Sequence, residues 1–261
     1  MKIAVGQMNV AADREKNLAT VLEFAKQSIA AGARLLLLPE GIIARDPDDS
    51  GFAAANAEPI DGYFVNRLRG ISAEFGIALA CSVHVKSDGL VKNVFLAIDG
   101  GEIVNSYEKL HPFDAFKSKE SDSVTPGETE PEVFELDGVK FGGIICYDVR
   151  FPELSISLAL RGAEVILCPA AWVAGPLKEQ HWAAVVTARA LDTTSYVIGC
   201  GEISKRNVGR SLVVDPLGVT IAGAGVTPTV FTVEVSPAVV AKARMTLPVL
   251  ENRRFAVAKL A

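Results

Sequence analysis

Short apolar segments that recur along the chain constrain its fold more than any other feature. IALACSVHV at 77–85, GGIIC at 142–146 and VILC at 165–168 have the length and the β-branched content that are typical of strands. Stretches with helical periodicity lie between such segments; one begins near Asp13 and another is closed by Gly76. Strands that alternate with helices, several of them apolar on both faces, predict an α/β fold with mixed sheets covered by helices.

The domain organisation follows from what does not interrupt this pattern. The 261 residues are 49% apolar and 22% charged, as in ordinary globular proteins, and contain no repeat, low-complexity tract or Pro/Ser-rich linker. We therefore expect a single domain over residues 1–251 and a C-terminal tail at 252–261. The segment MTLPVLENRRF near the end of the chain lacks clean periodicity, and we interpret it as an arm that packs on another subunit.

Charge and hydropathy exclude several classes of partner. The net charge is −5 and no Lys/Arg cluster is present, so we expect neither nucleic acid nor an anionic membrane as a partner. The first ten residues have no signal-peptide core, and the longest uncharged stretch, 216–233, contains two prolines and three glycines, unlike a membrane helix. The expected location is the cytoplasm, and the expected partner is a small molecule.

No cofactor or metal motif stands out. The four cysteines form no CxxC pair, the histidines form no HExxH pattern, and neither GxGxxG after a strand nor a P-loop is present. We therefore predict no disulfide, no metal and no cofactor.

Three ionisable residues each follow an apolar strand. Glu40 comes after LLLLP, Lys109 after IVNSYE, and Cys146 ends GGIIC. Unusually long loops, 41–60 and 110–130, follow the first two. Sites in open α/β folds lie at such strand ends, so we expect the three side chains to converge. The thiol, at a strand-to-helix turn, would have nearby backbone N–H groups that favour its thiolate.

The alternative for each residue is structural. A free cysteine is more often a small packing residue than a nucleophile, and this applies most to Cys81 and Cys200, which lie inside strands. Cys168, at the end of VILC, is the only rival to Cys146 by position. Glu40 and Lys109 could each be a solvated residue at the end of its strand.

Three segments of the chain resemble a known family. LLLLPE at 35–40, YEKLHPFD at 107–114 and GGIICYDVRFPE at 142–153 resemble, in order and spacing, the signature blocks of the nitrilase superfamily of carbon–nitrogen hydrolases. The last two blocks resemble its Nit branch of amidases, and the likeness extends from KIAVGQM to about Glu251. The resemblance implies a four-layer α-β-β-α sandwich, a homodimer and an enzyme without a cofactor.

The same resemblance assigns roles to individual residues. Glu40 takes the general-base position, Lys109 the lysine position and Cys146 the position of the nucleophile. The branch has a second glutamate before a Pro-Gly pair; in ESDSVTPG this is Glu120, whereas Glu128 follows the pair and does not match.

The chemistry of amide hydrolysis agrees with these roles. In the predicted mechanism Cys146 attacks the amide carbon, Glu40 relays the thiol proton to ammonia, and Lys109 with the backbone N–H of Tyr147 holds the oxyanion. Water then cleaves the thioester. Burial is expected to raise the pKa of Glu40, and the ammonium to favour the carboxylate and the thiolate.

Substrate contacts are less constrained. Trp172 follows a strand at the presumed site edge, and Arg150 follows the cysteine, so both are candidates, although Arg150 and Asp148 could simply pair with each other. The branch favours a small carboxylate-bearing amide as substrate, with deaminated glutathione first and 2-oxoglutaramate or 2-oxosuccinamate, the substrates of ω-amidase, as the alternative.

Two other hypotheses remain open. The chain could be a catalytically silent scaffold, or a Cys–His hydrolase that uses His111 or His181.

Overall fold

The computed structural model describes residues 1–116, 118–256 and 260. Its strands, in chain order, are β1 (Lys2–Gln7), β2 (Leu35–Leu37), β3 (Ala78–Ser87), β4 (Leu90–Asp99), β5 (Glu102–Glu108), β6 (Asp114–Ala115), β7 (Ser118–Lys119), β8 (Val133–Leu136), β9 (Val139–Gly143), β10 (Val165–Ala170), β11 (Tyr196–Gly201), β12 (Leu212–Val214), β13 (Thr220–Gly223) and β14 (Thr229–Glu234). The helices are α1 (Arg14–Ala30), α2 (Phe52–Ala55), α3 (Tyr63–Phe75), α4 (Pro152–Leu160), α5 (Lys178–Thr193) and α6 (Pro237–Thr246). Short 3₁₀ helices span Glu120–Asp122 and Cys146–Arg150.

The longer strands form two mixed sheets. The first has the order β14-β1-β2-β3-β4-β5 and the second β13-β12-β11-β10-β9-β8, while β6 and β7 form a separate hairpin. In the first sheet β1, β2 and β3 are parallel, and in the second β9, β10 and β11 are parallel; the flanking strands pair antiparallel. The prediction of mixed sheets is confirmed.

Alternate residues of the first sheet show the layers. Val5 and Leu37 share one apolar core with Phe141 of the second sheet, whereas Ala4 and Leu36 belong to a separate cluster beneath α1 and α3. Because successive side chains of a strand point to opposite faces, both faces of this sheet are buried. Helices α4 and α5 pack on the other side of the second sheet, so the predicted α-β-β-α sandwich is confirmed.

Local signals account for most helix boundaries. The carboxylate of Asp13 accepts a hydrogen bond from the Glu15 amide at 2.9 Å and caps α1, and Gly76, at φ 60°, ends α3 in the left-handed conformation. Helix α6 was not anticipated from the sequence. The strand predicted to end at Cys146 ends at Gly143 instead.

The division into a domain at 1–251 and a C-terminal tail at 252–261 stays a prediction. After α6 the described residues 247–256 form neither helix nor strand. The predicted tail, 252–261, includes residues 257–259 and 261, which lie outside the described residues. Within the described part of the chain, no helix combines the length and the apolar character needed to cross a membrane.

Candidate active site

Glu40, Lys109 and Cys146 line one cavity of about 520 Å³, together with Glu120 and Trp172. The two long loops supply much of its remaining wall, from Arg45 to Ala54 and from Phe113 to Val124. The three strand-end side chains therefore converge, as expected. Both long loops contribute to the wall of the cavity.

Glu40 and Lys109 are placed by the first sheet. The loop that carries the glutamate follows β2 and is held on β3, because the amide of Leu38 donates to the Ala80 carbonyl at 2.8 Å and that of Gly41 to the Ser82 carbonyl at 2.9 Å. Lys109 directly follows β5, and its amide donates to the Asn93 carbonyl of β4 at 2.8 Å.

Cys146 comes from the second sheet, in a strained conformation. It opens the 3₁₀ helix Cys146–Arg150 with φ 47°, in the left-handed region. For a residue with a Cβ this costs about 1–2 kcal/mol, and such strain persists where the surroundings enforce it, often at functional sites. The side chain is only 6% exposed.

Glu40 is held by three hydrogen bonds. Its Oε1 accepts from Lys109 Nζ at 2.9 Å and from Asn93 Nδ2 at 2.8 Å, and its Oε2 accepts from the Ala171 amide at 2.8 Å. Asn93 was not recognised from the sequence, although an asparagine within the apolar strand KNVFLAID was a usable signal, since a buried amide needs polar partners.

A second carboxylate holds Lys109 from the other side. Its Nζ lies 2.8 Å from Glu120 Oε2 and 3.1 Å from Oε1, and Oε2 also accepts from the Phe113 amide at 2.6 Å. The three acceptor oxygens of Glu40 and Glu120 match the three protons of an ammonium group. Glu120 thus lies where the resemblance placed it, against the lysine.

The charges of this cluster favour an ionised acid and an ionised amine. Burial alone raises the pKa of Glu40, but Lys109 and Arg45 outweigh it and lower the pKa to about 2. Burial lowers the pKa of Lys109, yet Glu120 and Glu40 raise it well above its ordinary value. The sequence analysis expected burial and the ammonium to act in opposite directions on Glu40, and in the structure the positive charges outweigh burial.

The sulfur responds in the opposite way. Burial and the Glu40 carboxylate raise the pKa of Cys146 well above its ordinary value, and the opposing effect of Lys109 is smaller. In the free site these influences favour the neutral thiol, from which the predicted mechanism starts, over the thiolate that nearby backbone N–H groups were expected to favour. Its proton must therefore leave during attack on a substrate.

Asp148 connects the lysine segment to the cysteine segment. This buried carboxylate accepts from the Tyr107 hydroxyl at 3.0 Å, the His111 amide at 3.1 Å and the Ile145 amide at 3.0 Å, and it lies 2.8 Å from His111 Nδ1. It is not paired with Arg150. Its contacts join residues of the two sheets and so fix the spacing between the cysteine and the lysine.

Known proteins share this sequence and architecture. The family model described as "Carbon-nitrogen hydrolase" matches residues 2–245. The chain belongs to the carbon–nitrogen hydrolase family. It is 42% identical over 261 residues, all of both chains, to the deaminated glutathione amidase of Escherichia coli O157:H7.

Solved structures extend the comparison. Nit3 of Saccharomyces cerevisiae, a member of branch 10 of the nitrilase superfamily, has a TM-score of 0.86 and 25% identity, with 98% of this chain and 97% of that chain covered. A variant of the amidase from Nesterenkonia sp. AN1, with the acetamide moiety of fluoroacetamide on its active-site cysteine, has a TM-score of 0.84, 26% identity and coverage of 97% and 94%. This chain is thus a nitrilase-superfamily hydrolase of non-peptide carbon–nitrogen bonds.

The predicted substrate contacts of this carbon–nitrogen hydrolase differ in position. Trp172 lines the cavity, whereas Arg150 is not among the lining residues and instead lies over the Trp172 ring, 4.8 Å from its centroid. The Tyr147 amide belongs to the first turn of a 3₁₀ helix, where N–H groups have no acceptor within the helix.

The competing residues lie elsewhere. Cys81, Cys168 and Cys200 are fully buried and do not line the cavity. His111 stacks on Phe151, with ring centroids 3.6 Å apart, and neither it nor His181 lines the cavity, so the geometry does not favour a Cys–His pair.

Among residues 1–116, 118–256 and 260, no group of three or more His, Cys, Asp and Glu side chains is arranged to hold a metal ion.

Proposed function

We propose that this carbon–nitrogen hydrolase is an amidase that uses Cys146 as nucleophile, Glu40 as general base and acid, and Lys109 as an electrostatic partner. The observation that carries the proposal is the convergence of these side chains, from distant segments, on one cavity of about 520 Å³. A cavity of this size accommodates a small amide with additional polar groups.

The first half-reaction starts from the neutral thiol. As the sulfur attacks the amide carbon, the thiol proton passes to Glu40, which is ionised and lies close enough to Cys146 for the thiol to lower its pKa. The charge of Lys109 and the amide of Tyr147 stabilise the oxyanion. Glu40 then returns the proton to the leaving nitrogen and a thioester remains; the group that departs is ammonia from a primary amide and cysteinylglycine from deaminated glutathione.

The second half-reaction uses the same groups. Glu40, again ionised, takes a proton from water, and the hydroxyl oxygen attacks the thioester carbon. Collapse of this intermediate releases the carboxylic acid, while Cys146 recovers a proton. Glu120 acts by holding Lys109, since both of its oxygens lie within 3.1 Å of the lysine Nζ.

For the substrate we propose deaminated glutathione. The support is the full-length likeness to the deaminated glutathione amidase of Escherichia coli O157:H7, at 42% identity, and a likeness at 31% to that of Bos taurus. The ω-amidase substrate 2-oxoglutaramate is the alternative, and the ratio of the two kcat/KM values decides between them.

Mass spectrometry tests the nucleophile directly. After brief exposure to deaminated glutathione, the intact protein is expected to carry an acyl adduct that peptide mapping places on Cys146. The Cys146→Ala variant is expected to lose turnover and the adduct, whereas Cys168→Ala, which changes a thiol outside the cavity, should keep both. Undiminished activity in Cys146→Ala would refute the proposal.

We further propose a cytoplasmic homodimer. Four free, buried cysteines suit a reducing compartment. On the second sheet's helical layer, Leu160, Leu191, Val239 and Met245 are exposed apolar side chains that a second copy would cover. Light scattering coupled to size exclusion measures the assembly; a monomer at micromolar concentration would contradict it.

A further inference from the structure

Lys178 is a buried cation that the proposed chemistry does not use. It is the first residue of α5, lines the same cavity as Cys146 and is only 6% exposed. Its Nζ lies 3.6 Å from the ring centroid of Phe116, 5.3 Å from that of Phe113 and 5.8 Å from that of Trp172. Aromatic faces stabilise an ammonium group, but they do not neutralise its charge.

Of the other lysine and arginine side chains that line the cavity, Arg206 donates to the Pro47 carbonyl at 3.4 Å, and three have acidic partners nearby. Lys109 is paired with two carboxylates, and Arg45 lies 3.9 Å from Glu40. Lys119 is 66% exposed at its side chain and pairs with Asp122. Among the described residues, Lys178 has no carboxylate within 4.0 Å. A buried charge without a counter-ion is unfavourable, so this position favours a ligand that brings a negative charge.

A second positive charge increases the effect. Arg150 lies over the Trp172 ring at 4.8 Å, close enough that burial and this guanidinium both lower the pKa of Lys178. An anion that entered the cavity beside Lys178 would raise the pKa of this lysine and so oppose the effects of burial and of Arg150. In a cavity partly closed to water, such an ion pair is stronger than at the surface.

The backbone holds Lys178 in place before any ligand arrives. Leu177, which precedes it, has φ 62° in the left-handed region, although its own side chain is exposed. The Lys178 amide donates to the Gly175 carbonyl at 3.1 Å, and its carbonyl accepts from Trp172 Nε1 at 2.9 Å. Strain that is retained at a cavity and locked by such contacts is characteristic of a preorganised site.

From these observations we propose that Lys178 binds a carboxylate of the substrate, remote from the reacting amide, and thereby selects amides of dicarboxylic acids over neutral amides. This inference rests on the proposed function and names the residue that determines its substrate class. Lys109 orients the chemistry, whereas Lys178 recognises the far end of the molecule.

The test compares two amides that differ only in that group. Glutaramate and valeramide have the same chain, with a carboxylate in the first where the second has a methyl group. In Lys178→Met, the ratio of kcat/KM for glutaramate to that for valeramide is expected to fall about 10- to 100-fold, mainly through KM, the effect of losing a charged hydrogen bond. Lys178→Arg should recover most of the ratio.

Lys119→Met is the matched control, because Lys119 also lines the cavity but is exposed and already paired. It should leave the ratio within about twofold of the wild type, as expected for a surface charge. A ratio that moves equally in both lysine variants, or remains unchanged in Lys178→Met, would overturn the inference.

A binding measurement separates this inference from the catalytic proposal. Glutarate, the product of glutaramate, is titrated by calorimetry into Cys146→Ala and into the double variant with Lys178→Met. We expect Kd to be at least about tenfold weaker in the double variant; equal Kd values would refute the role of Lys178. If the wild type hydrolyses neither these two amides nor deaminated glutathione, the proposed function fails, and the glutarate titration still decides the role of Lys178.

Discussion

Lys109 and Lys178 lie in one cavity but have opposite surroundings. Lys109 contacts Glu40 and Glu120, and these carboxylates raise its pKa well above the ordinary value. Lys178 contacts aromatic rings, and burial and the nearby Arg150 lower its pKa. The lysine ammonium group is thus paired with carboxylates at one end of the cavity and has no carboxylate partner at the other.

The comparison shows how neighbours divide the work of a site. A lysine that is neutralised by protein carboxylates attracts a substrate anion only weakly. It does, however, fix the positions of those carboxylates relative to its own amine. An unneutralised cation attracts an anionic ligand. We call these regions the acidic end (Glu40, Lys109 and Glu120) and the aromatic end (Phe113, Phe116, Trp172 and Lys178).

The largest effect is expected at the acidic end, in Glu40→Gln. An amide cannot accept the thiol proton, so kcat should fall about 10²- to 10⁴-fold for glutaramate and valeramide alike. Steady-state kinetics with both amides, and circular dichroism for the fold, provide the measurement. A fall in kcat for glutaramate alone would contradict the division between the two ends, because it would mean that the acidic end binds the substrate carboxylate.

The next effect concerns stability and His84, a buried residue that lines the cavity. Burial lowers its pKa to about 4, and Arg45 adds to this. Between pH 6.5 and 4 the unfolded histidine takes up a proton that the folded one does not. Stability should therefore fall as pH decreases through this window, by about 3 kcal/mol in total from this group.

Urea denaturation between pH 4 and 7 measures that contribution. The free energy of unfolding of His84→Gln should depend less steeply on pH than that of the wild type, by about 1.4 kcal/mol per pH unit within the window. Parallel curves would mean that His84 is protonated in the folded protein and adds a further positive charge to the acidic end.

A smaller effect is expected for Glu120→Gln. Removing one charge from the pair that holds Lys109 should lower kcat about 10- to 100-fold with either amide, while KM changes less. Glu128→Gln is the control, since Glu128 lies beyond the Pro126-Gly127 pair, is exposed and does not line the cavity. Equal losses in the two variants would contradict a specific role for Glu120.

The smallest effect is expected at the aromatic end, in Phe116→Ala. The ring of this residue approaches the Lys178 ammonium to 3.6 Å, and its loss should raise KM for glutaramate about two- to fivefold. Phe255→Ala removes another exposed phenylalanine, one that does not line the cavity, and should leave KM unchanged. A larger effect on valeramide than on glutaramate would indicate apolar packing instead.

Much of the site could be predicted from the sequence, but which of its groups carry a proton could not. Glu40, Lys109 and Cys146 were located as residues at the ends of apolar strands, and Glu120 was located by the family resemblance of ESDSVTPG. Asn93 and the Ala171 amide, which complete the hydrogen bonds to Glu40, come from other segments that no local pattern connects to it. Arg150, a candidate substrate contact, lies over Trp172 and is not among the residues that line the cavity.

The amino-acid sequence by itself determined the alternation of strands and helices, the two-faced burial of the strands and the reactive residues at their ends. These depend on side-chain period and on turn residues, which are local properties. The tertiary structure alone decided that Cys146 is a protonated thiol, that Glu40 is ionised and that Lys178 enters the same cavity. The reason is physical: pKa values and ligand contacts depend on burial and on distances between groups far apart in the chain.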